Sequence, residues 1–163
     1  MDRKHTIWIS VIGGSVATAK IERVAERVGE LLARAGAVVV CGGLGGVMKS
    51  VSKGAKENGG TVVGILPGDN RSDANEYVDY AIPTGLGIAR NLLVVRSGDA
   101  VIAIDGKWGT LSEIALAKSI GKTVIALQSF ELDDVISTKT PEEAVELALS
   151  AARESFLQNE KTV

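Results

Sequence analysis

A single cysteine, Cys41, rules out an internal disulfide framework, and a single histidine, His5, leaves no His/Cys cluster to hold a metal. No metal site is expected. Cys41 ends an apolar run, where a small buried residue is a better reading than a nucleophile. No stretch approaches the ~20 apolar residues that a membrane span needs, and the apolar part of MDRKHTIWISVIGG is too short for a secretory signal. The chain therefore reads as cytoplasmic, with no membrane partner. A formal net charge of −2 with interspersed signs lacks the basic footprint of nucleic-acid binders, so DNA and RNA are poor candidates. Only three prolines and no Gly/Ser-rich linker interrupt the 163 residues. One domain over residues 1–163 is predicted, long enough to bury a core without staples.

Glycine is what the chain has in excess: 19 of 163 residues, against a usual ~7%. Many follow apolar runs. Thr6 to Ile12 reads as a strand entering Gly13, Gly14 and Ser15, and Ala37 to Cys41 as a strand entering Gly42, Gly43, Leu44, Gly45 and Gly46. Helices follow each: Ile21, Val24, Ala25, Val28, Leu31 and Leu32 recur at helical spacing up to Gly36, and a second helix spans about Val47 to Glu57. Thr61 to Leu66 and Tyr80 to Pro83 are further strands, separated by a polar stretch, Asp69 to Glu76, that is either a solvated loop or a lid. A helix opening at Thr84 or Gly85 carries Arg90 and Asn91; Asp99 to Ile104 and Thr123 to Leu127 are strands. Thr140, Pro141 and Glu143 open the last helix, which frays beyond Phe156. This alternation predicts an α/β, Rossmann-like three-layer α/β/α fold with a mostly parallel sheet, whose ligands bind beyond the strands' carboxyl ends.

The junction VIAIDGKWGTLSEIALA is the centre of the pattern. Asp105 and Gly106 break a buried strand, Gly109 permits a close or positive-φ backbone, and Thr110 is an N-cap with Glu113 three residues on. A helix start presents free N–H groups and a positive dipole end, which attract phosphate or carboxylate. The first turn does not continue as G-x-G-x-x-G, so a mononucleotide is favoured over NAD.

The succession CGGLGGVM, GILPG, GIARN and DGKWGTLSE resembles the Rossmann-like family of the LONELY GUY cytokinin-activating phosphoribohydrolases, once mislabelled lysine decarboxylases. Within it, the chain resembles a branch that is also similar to molybdenum-cofactor carrier proteins. The resemblance implies a small phosphorylated ligand bound by the glycine turns, usually in a homodimer. No cofactor is required; an AMP-like nucleotide or molybdenum cofactor is the implied occupant. Against the family signature Pro-Gly-Gly-x-Gly-Thr-x-x-Glu, the chain keeps Gly106, Gly109, Thr110 and Glu113, with Asp105 for the proline and Lys107 for the second glycine. The family's Arg-Lys pair becomes Arg90-Asn91. By analogy the chemistry is cleavage of the N-glycosidic bond of a nucleoside 5′-monophosphate. Glu113 would steady the oxocarbenium-like state or activate water, with Arg90 on the phosphate or on Glu113. N–H groups from 43 to 46 and 109 to 110 would cradle the phosphate.

Each residue keeps a second reading. Thr110-x-x-Glu113 is itself a capping box, and Arg90 suits a surface ion pair. Lys107 can meet an anion; Trp108 can stack on a base or pack at a dimer interface. Ser15 donates to phosphate or, preferably, caps the first helix. Retained Arg90 and Glu113 favour hydrolysis, whereas Asp105, Lys107 and Asn91 favour a carrier or sensor. Lysine decarboxylation is set aside, since nothing resembles a pyridoxal phosphate lysine motif.

Overall fold

A computed structural model describes residues 5–160, with side chains through 157. The remaining ends of the predicted 1–163 domain lie outside the described residues. In chain order the elements are β1 (Trp8–Gly13), α1 (Ala19–Arg34), β2 (Val38–Cys41), α2 (Val47–Glu57), β3 (Thr61–Leu66), β4 (Tyr80–Pro83), α3 (Asn91–Ser97), β5 (Ala100–Ile104), α4 (Trp108–Ser119), β6 (Val124–Leu127), β7 (Ile136–Thr138) and α5 (Pro141–Glu160).

The seven strands lie in the order β4-β3-β2-β1-β5-β6-β7, every neighbouring pair parallel. Strand side chains alternate between two apolar layers. Ile9, Val11, Val39, Ile102 and Ile104 pack under α1, α2 and α5. Ile12, Val40, Val101 and Ala103 pack under α3 and α4 through Val94, Val95, Ile114 and Ala117. This is the three-layer Rossmann-like fold that the alternation predicts. The chain builds outward from β1 on one side and then from β5 on the other, so the switch point lies between these two strands. Gly13 and Ile104 face each other there.

Helix α1 behaves as its pattern requires. Gly36, at φ 73°, closes it, its N–H donating to the Ala33 carbonyl at 2.9 Å while Ala37 N–H reaches Leu32 O at 3.0 Å. Its N-cap is Thr18, whose hydroxyl accepts from Ile21 N–H at 3.3 Å, so Ser15 does not cap the helix. No helix forms at Thr84 or Gly85. Thr84 N–H and hydroxyl both donate to Leu66 O, and Gly85 and Gly87 N–H donate to Gly68 O and Pro67 O. These ties to the end of β3 compete with helical bonding. A 3-10 turn over Gly87–Arg90 follows, and α3 starts only at Asn91.

β7 has no counterpart in the sequence reading, because three half-polar residues on a sheet edge give no apolar run. Helix α5 continues through Glu160 where the sequence predicts fraying. His5 stacks on Phe156 with ring centroids 4.6 Å apart. Asp69 to Glu76 contains one 3-10 turn, Arg71–Asp73, and braces the second glycine turn: Asn75 N–H donates to Gly43 O at 2.8 Å and its side-chain amide to Leu44 O at 2.9 Å. No helix among the described residues is long and apolar enough to cross a membrane.

Candidate functional site

A cleft of about 360 Å3 opens over the β1/β5 switch point, where the turns after β1, β2 and β5 meet the start of α3. Of the predicted residues, Gly13, Gly14, Ser15, Gly42, Arg90, Gly106, Lys107, Gly109, Thr110 and Glu113 line it. Gly43, Gly45, Gly46 and Trp108 do not.

The glycines divide by task. At Gly13 a Cβ would stand 2.7 Å from both Ile104 O and Val47 Cγ1, so glycine lets β1 leave the sheet against α2. Gly46, at φ 60°, lies against the Gly14–Ser15 backbone, and Val47 N–H donates to Gly14 O at 3.0 Å. Gly43, at φ 74°, packs on β3, its N–H directed to Cys41 Sγ at 3.4 Å. The second turn thus buttresses the first, and from it Gly42 and Leu44 reach the cleft. A Cβ on Gly42 would meet the Arg90 guanidinium, 2.7 Å from Nη2, and stand 2.5 Å from Met48 Sδ. Gly42 leaves the space in which the Arg90 head group lies.

After β5 the positive φ values fall at Asp105 (49°) and Gly106 (111°), not at Gly109. Gly106 is required because a Cβ would collide with the Thr110 side chain, whereas the space beside the Gly109 Cα is open. Helix α4 begins at Trp108, one turn earlier than the predicted cap. Lys107 is its N-cap, with no side-chain capping bond, and Thr110 is its third residue. The Thr110/Glu113 capping box therefore does not form. Glu113 instead faces the cleft, and the uncapped helix directs its first N–H groups and dipole at the same region.

Arg90 and Glu113 are each only 7% exposed. No ion pair within 4.0 Å joins them among the described residues, and Arg90 Nε has no hydrogen-bond partner. The surface-ion-pair reading of Arg90 fails on its burial. Burial pushes the Glu113 carboxyl up to about 7, the Arg90 charge pulling it back. Burial lowers Arg90 from its ordinary value, opposed by Glu113 and Cys41, but guanidinium stays charged at any physiological pH. The cleft thus pairs a fixed buried cation with a carboxyl that can hold or release a proton near neutrality. Cys41 is fully buried beside Ser52 Oγ at 3.5 Å, and burial raises its thiol, as suits an inert packing residue. Lys107 stands exposed at the mouth, and Trp108, 84% exposed, projects beside it.

The sequence reading did not single out Met48, Leu44 or Val16 as lining residues. Only their offsets from the glycine turns could have signalled them.

An uncharacterized protein of Archaeoglobus fulgidus is 44% identical over 145 residues, 88% of this chain and 95% of that protein. The probable cytokinin riboside 5′-monophosphate phosphoribohydrolase LOGL9 of Oryza sativa subsp. japonica is 32% identical over 87 residues, 52% of this chain and 38% of the rice protein. Among solved structures, the molybdenum cofactor binding protein of Rippkaea orientalis superposes with a TM-score of 0.85 at 39% identity, covering 90% of this chain and 98% of that one. The molybdenum cofactor carrier protein of Chlamydomonas reinhardtii superposes with a TM-score of 0.83 at 28% identity and the same coverage. The match to the family itself runs from residue 6 to residue 156, and the chain belongs to the SLOG cluster4 family.

Proposed function

We propose that this protein binds a phosphorylated small molecule carrying a flat heterocycle, a nucleotide or a pterin of the molybdenum-cofactor kind, and acts as its carrier. The observation that carries the reading is Arg90: a buried guanidinium lining an open cleft, its Nε without a partner, beside an uncapped helix N-terminus. A buried unpaired charge is costly to maintain, and an incoming anion supplies what the fold leaves out. The donor set suits phosphate: Arg90, Lys107 and the N–H groups of the Gly13 turn and α4. Among the described residues no group of three or more His, Cys, Asp or Glu could ligate a metal, so a metal-bearing pterin would be held through its phosphate and ring system as cargo. The full-length likeness to molybdenum cofactor binding and carrier proteins favours this over turnover.

The second reading is phosphoribohydrolysis, in which water adds across the N-glycosidic bond and yields free base and ribose 5-phosphate. Glu113 favours it, as a carboxyl poised near neutrality beside a fixed cation. Incubation with a panel of nucleoside 5′-monophosphates, following free base by chromatography, separates the two. Retention without base release supports a carrier; release that vanishes in Glu113→Gln, which keeps affinity, establishes the hydrolase. In either case Arg90→Ala should weaken ligand binding by about tenfold or more.

We read the chain as one cytoplasmic domain acting as a homodimer. The exposed Leu86, Ile88 and Trp108 are apolar surface available for self-association. A monomer mass by light scattering at micromolar concentration would remove the dimer.

A further inference from the structure

Four ionisable side chains line the cleft, Arg90, Asp105, Lys107 and Glu113, and among the described residues none is ion-paired with another. Two cations and a helix N-terminus suit an anion. An aspartate in the same cleft does not, because it repels any ligand that is anionic throughout. The charge pattern complements a ligand that carries hydrogen-bond donors as well as a phosphate.

Asp105 is built for the second task. It follows the last residue of β5 at the switch point, in the left-handed region at φ 49°, a conformation closed to proline and tolerated by aspartate. Its backbone is held on both sides by the neighbouring strand's exit: its N–H donates to Leu127 O at 3.3 Å, and its carbonyl accepts from Ser129 Oγ at 2.6 Å. Glycine would satisfy the turn equally well. The aspartate adds a half-buried carboxylate that accepts no hydrogen bond among the described residues.

We propose that Asp105 selects heterocycles with a 2-amino-4-oxopyrimidine edge, the edge shared by guanine and the pterins. That edge sets a ring N–H beside an exocyclic amino group, two parallel donors matching the two oxygens of a carboxylate. Adenine and cytosine instead put a ring lone pair beside the amino group, facing the carboxylate with a repulsive acceptor. The inference rests on the cleft being the ligand site.

The test is calorimetric titration of the full chain and its Asp105→Asn and Asp105→Gly variants with GMP, IMP, AMP and 2′-deoxy-GMP. GMP should bind the unaltered protein roughly tenfold or more tighter than AMP, with IMP, which lacks the 2-amino group, between them. Both variants should lose that preference while AMP affinity stays within about threefold. Glycine adopts φ 49° freely, so a loss shared by both variants is not a folding defect. A GMP-to-AMP ratio unchanged by Asp105→Asn overturns the proposal. So does a preference that follows the 2′-hydroxyl, which would put Asp105 on the sugar. Equal binding of all four ligands, abolished by Arg90→Ala, keeps the cleft as the site and removes Asp105 as its selector. Binding of none of them overturns this inference, since GMP carries both the phosphate and the edge it names, while the cleft reading then stands or falls on a pterin.

Discussion

The Arg90 guanidinium occupies the space that a side chain on Gly42 would fill: a Cβ there would be 2.7 Å from Nη2, and Met48 Sδ, at 2.5 Å, closes the other side. Both contacts are the far ends of flexible side chains, so a methyl there is accommodated by moving the Arg90 head group and the Met48 thioether. Gly42→Ala should therefore act through Arg90. We expect the alanine to weaken binding of a nucleoside 5′-monophosphate about as much as Arg90→Ala does, roughly tenfold, and to cost about 1–3 kcal/mol of stability from overpacking. In the Arg90→Ala background, Gly42→Ala should leave affinity nearly unchanged. Calorimetric titration of the four proteins gives this cycle, and additive losses would show that Gly42 serves the site by some other route.

A pair of helix glycines sets the frame on which the turns rest. Gly29 of α1 and Gly54 of α2 let the two helices cross backbone to backbone. A Cβ on Gly54 would collide with Glu26 O, and one on Gly29 with Val51 O while standing 2.7 Å from Ala55 N. Alanine ordinarily stabilises a helix relative to glycine by about 1 kcal/mol. Here we expect the opposite: either substitution should destabilise by about 3 kcal/mol, read as a lower urea midpoint, because backbone cannot move aside as a side chain can. An increase in midpoint would mean that the helices separate readily.

The strands carrying the site were legible in the sequence because β-branched runs followed by glycine have few alternatives. Asp105 and Gly106 could be placed at the rim from the strand that they end, whereas Arg90 and Glu113 were reached through the resemblance to the phosphoribohydrolase signature. What the sequence concealed was which glycine does what. Gly29 and Gly54 look like weak points in helices until the crossing is seen, and Gly109 looks like the strained residue of a turn whose positive φ values fall at Asp105 and Gly106. The start of α4 was misplaced for a related reason. Thr-x-x-Glu is a local capping pattern, but the side chains it would use are turned inward, Thr110 against Gly106 and Glu113 toward the cleft. β7 escaped notice because an edge strand of three residues depends on β6 rather than on its own composition.

Ser15 and Thr18 provide a paired test of the first turn. Thr18 caps α1 and Ser15 lines the cleft, although both are exposed hydroxyl residues on one short loop. Thr18→Ala should cost about 1 kcal/mol of stability and leave affinity unchanged. Ser15→Ala should leave stability within about 0.5 kcal/mol and weaken ligand binding. Chemical unfolding and titration on the same two variants decide the matter, and a reversed pattern would return the capping role to Ser15.

Glu113 makes stability depend on pH in a direction opposite to that of a salt-bridged carboxylate. Its ordinary value is 4.5, and in the fold burial raises it to about 7. Between these values the folded chain holds a proton that the unfolded chain has released, so stability falls as pH rises through this window. The contribution is complete below about 4.5 and lost above about 7. A gap of this size corresponds to about 3 kcal/mol. Glu113→Gln stays neutral throughout and removes the dependence. The stability of the glutamine variant relative to the unaltered protein should therefore improve by about 3 kcal/mol between pH 4.5 and pH 8, measured by urea unfolding at both. Removing Arg90 as well tests the cause. Its charge favours ionised Glu113, so in Arg90→Ala the proton should be held to still higher pH and the loss of stability, which still begins near 4.5, should continue to higher pH. A glutamine-to-wild-type difference that stays constant with pH would mean that Glu113 is solvated in the folded protein, and the picture of a dry carboxyl waiting beside a fixed cation would go with it.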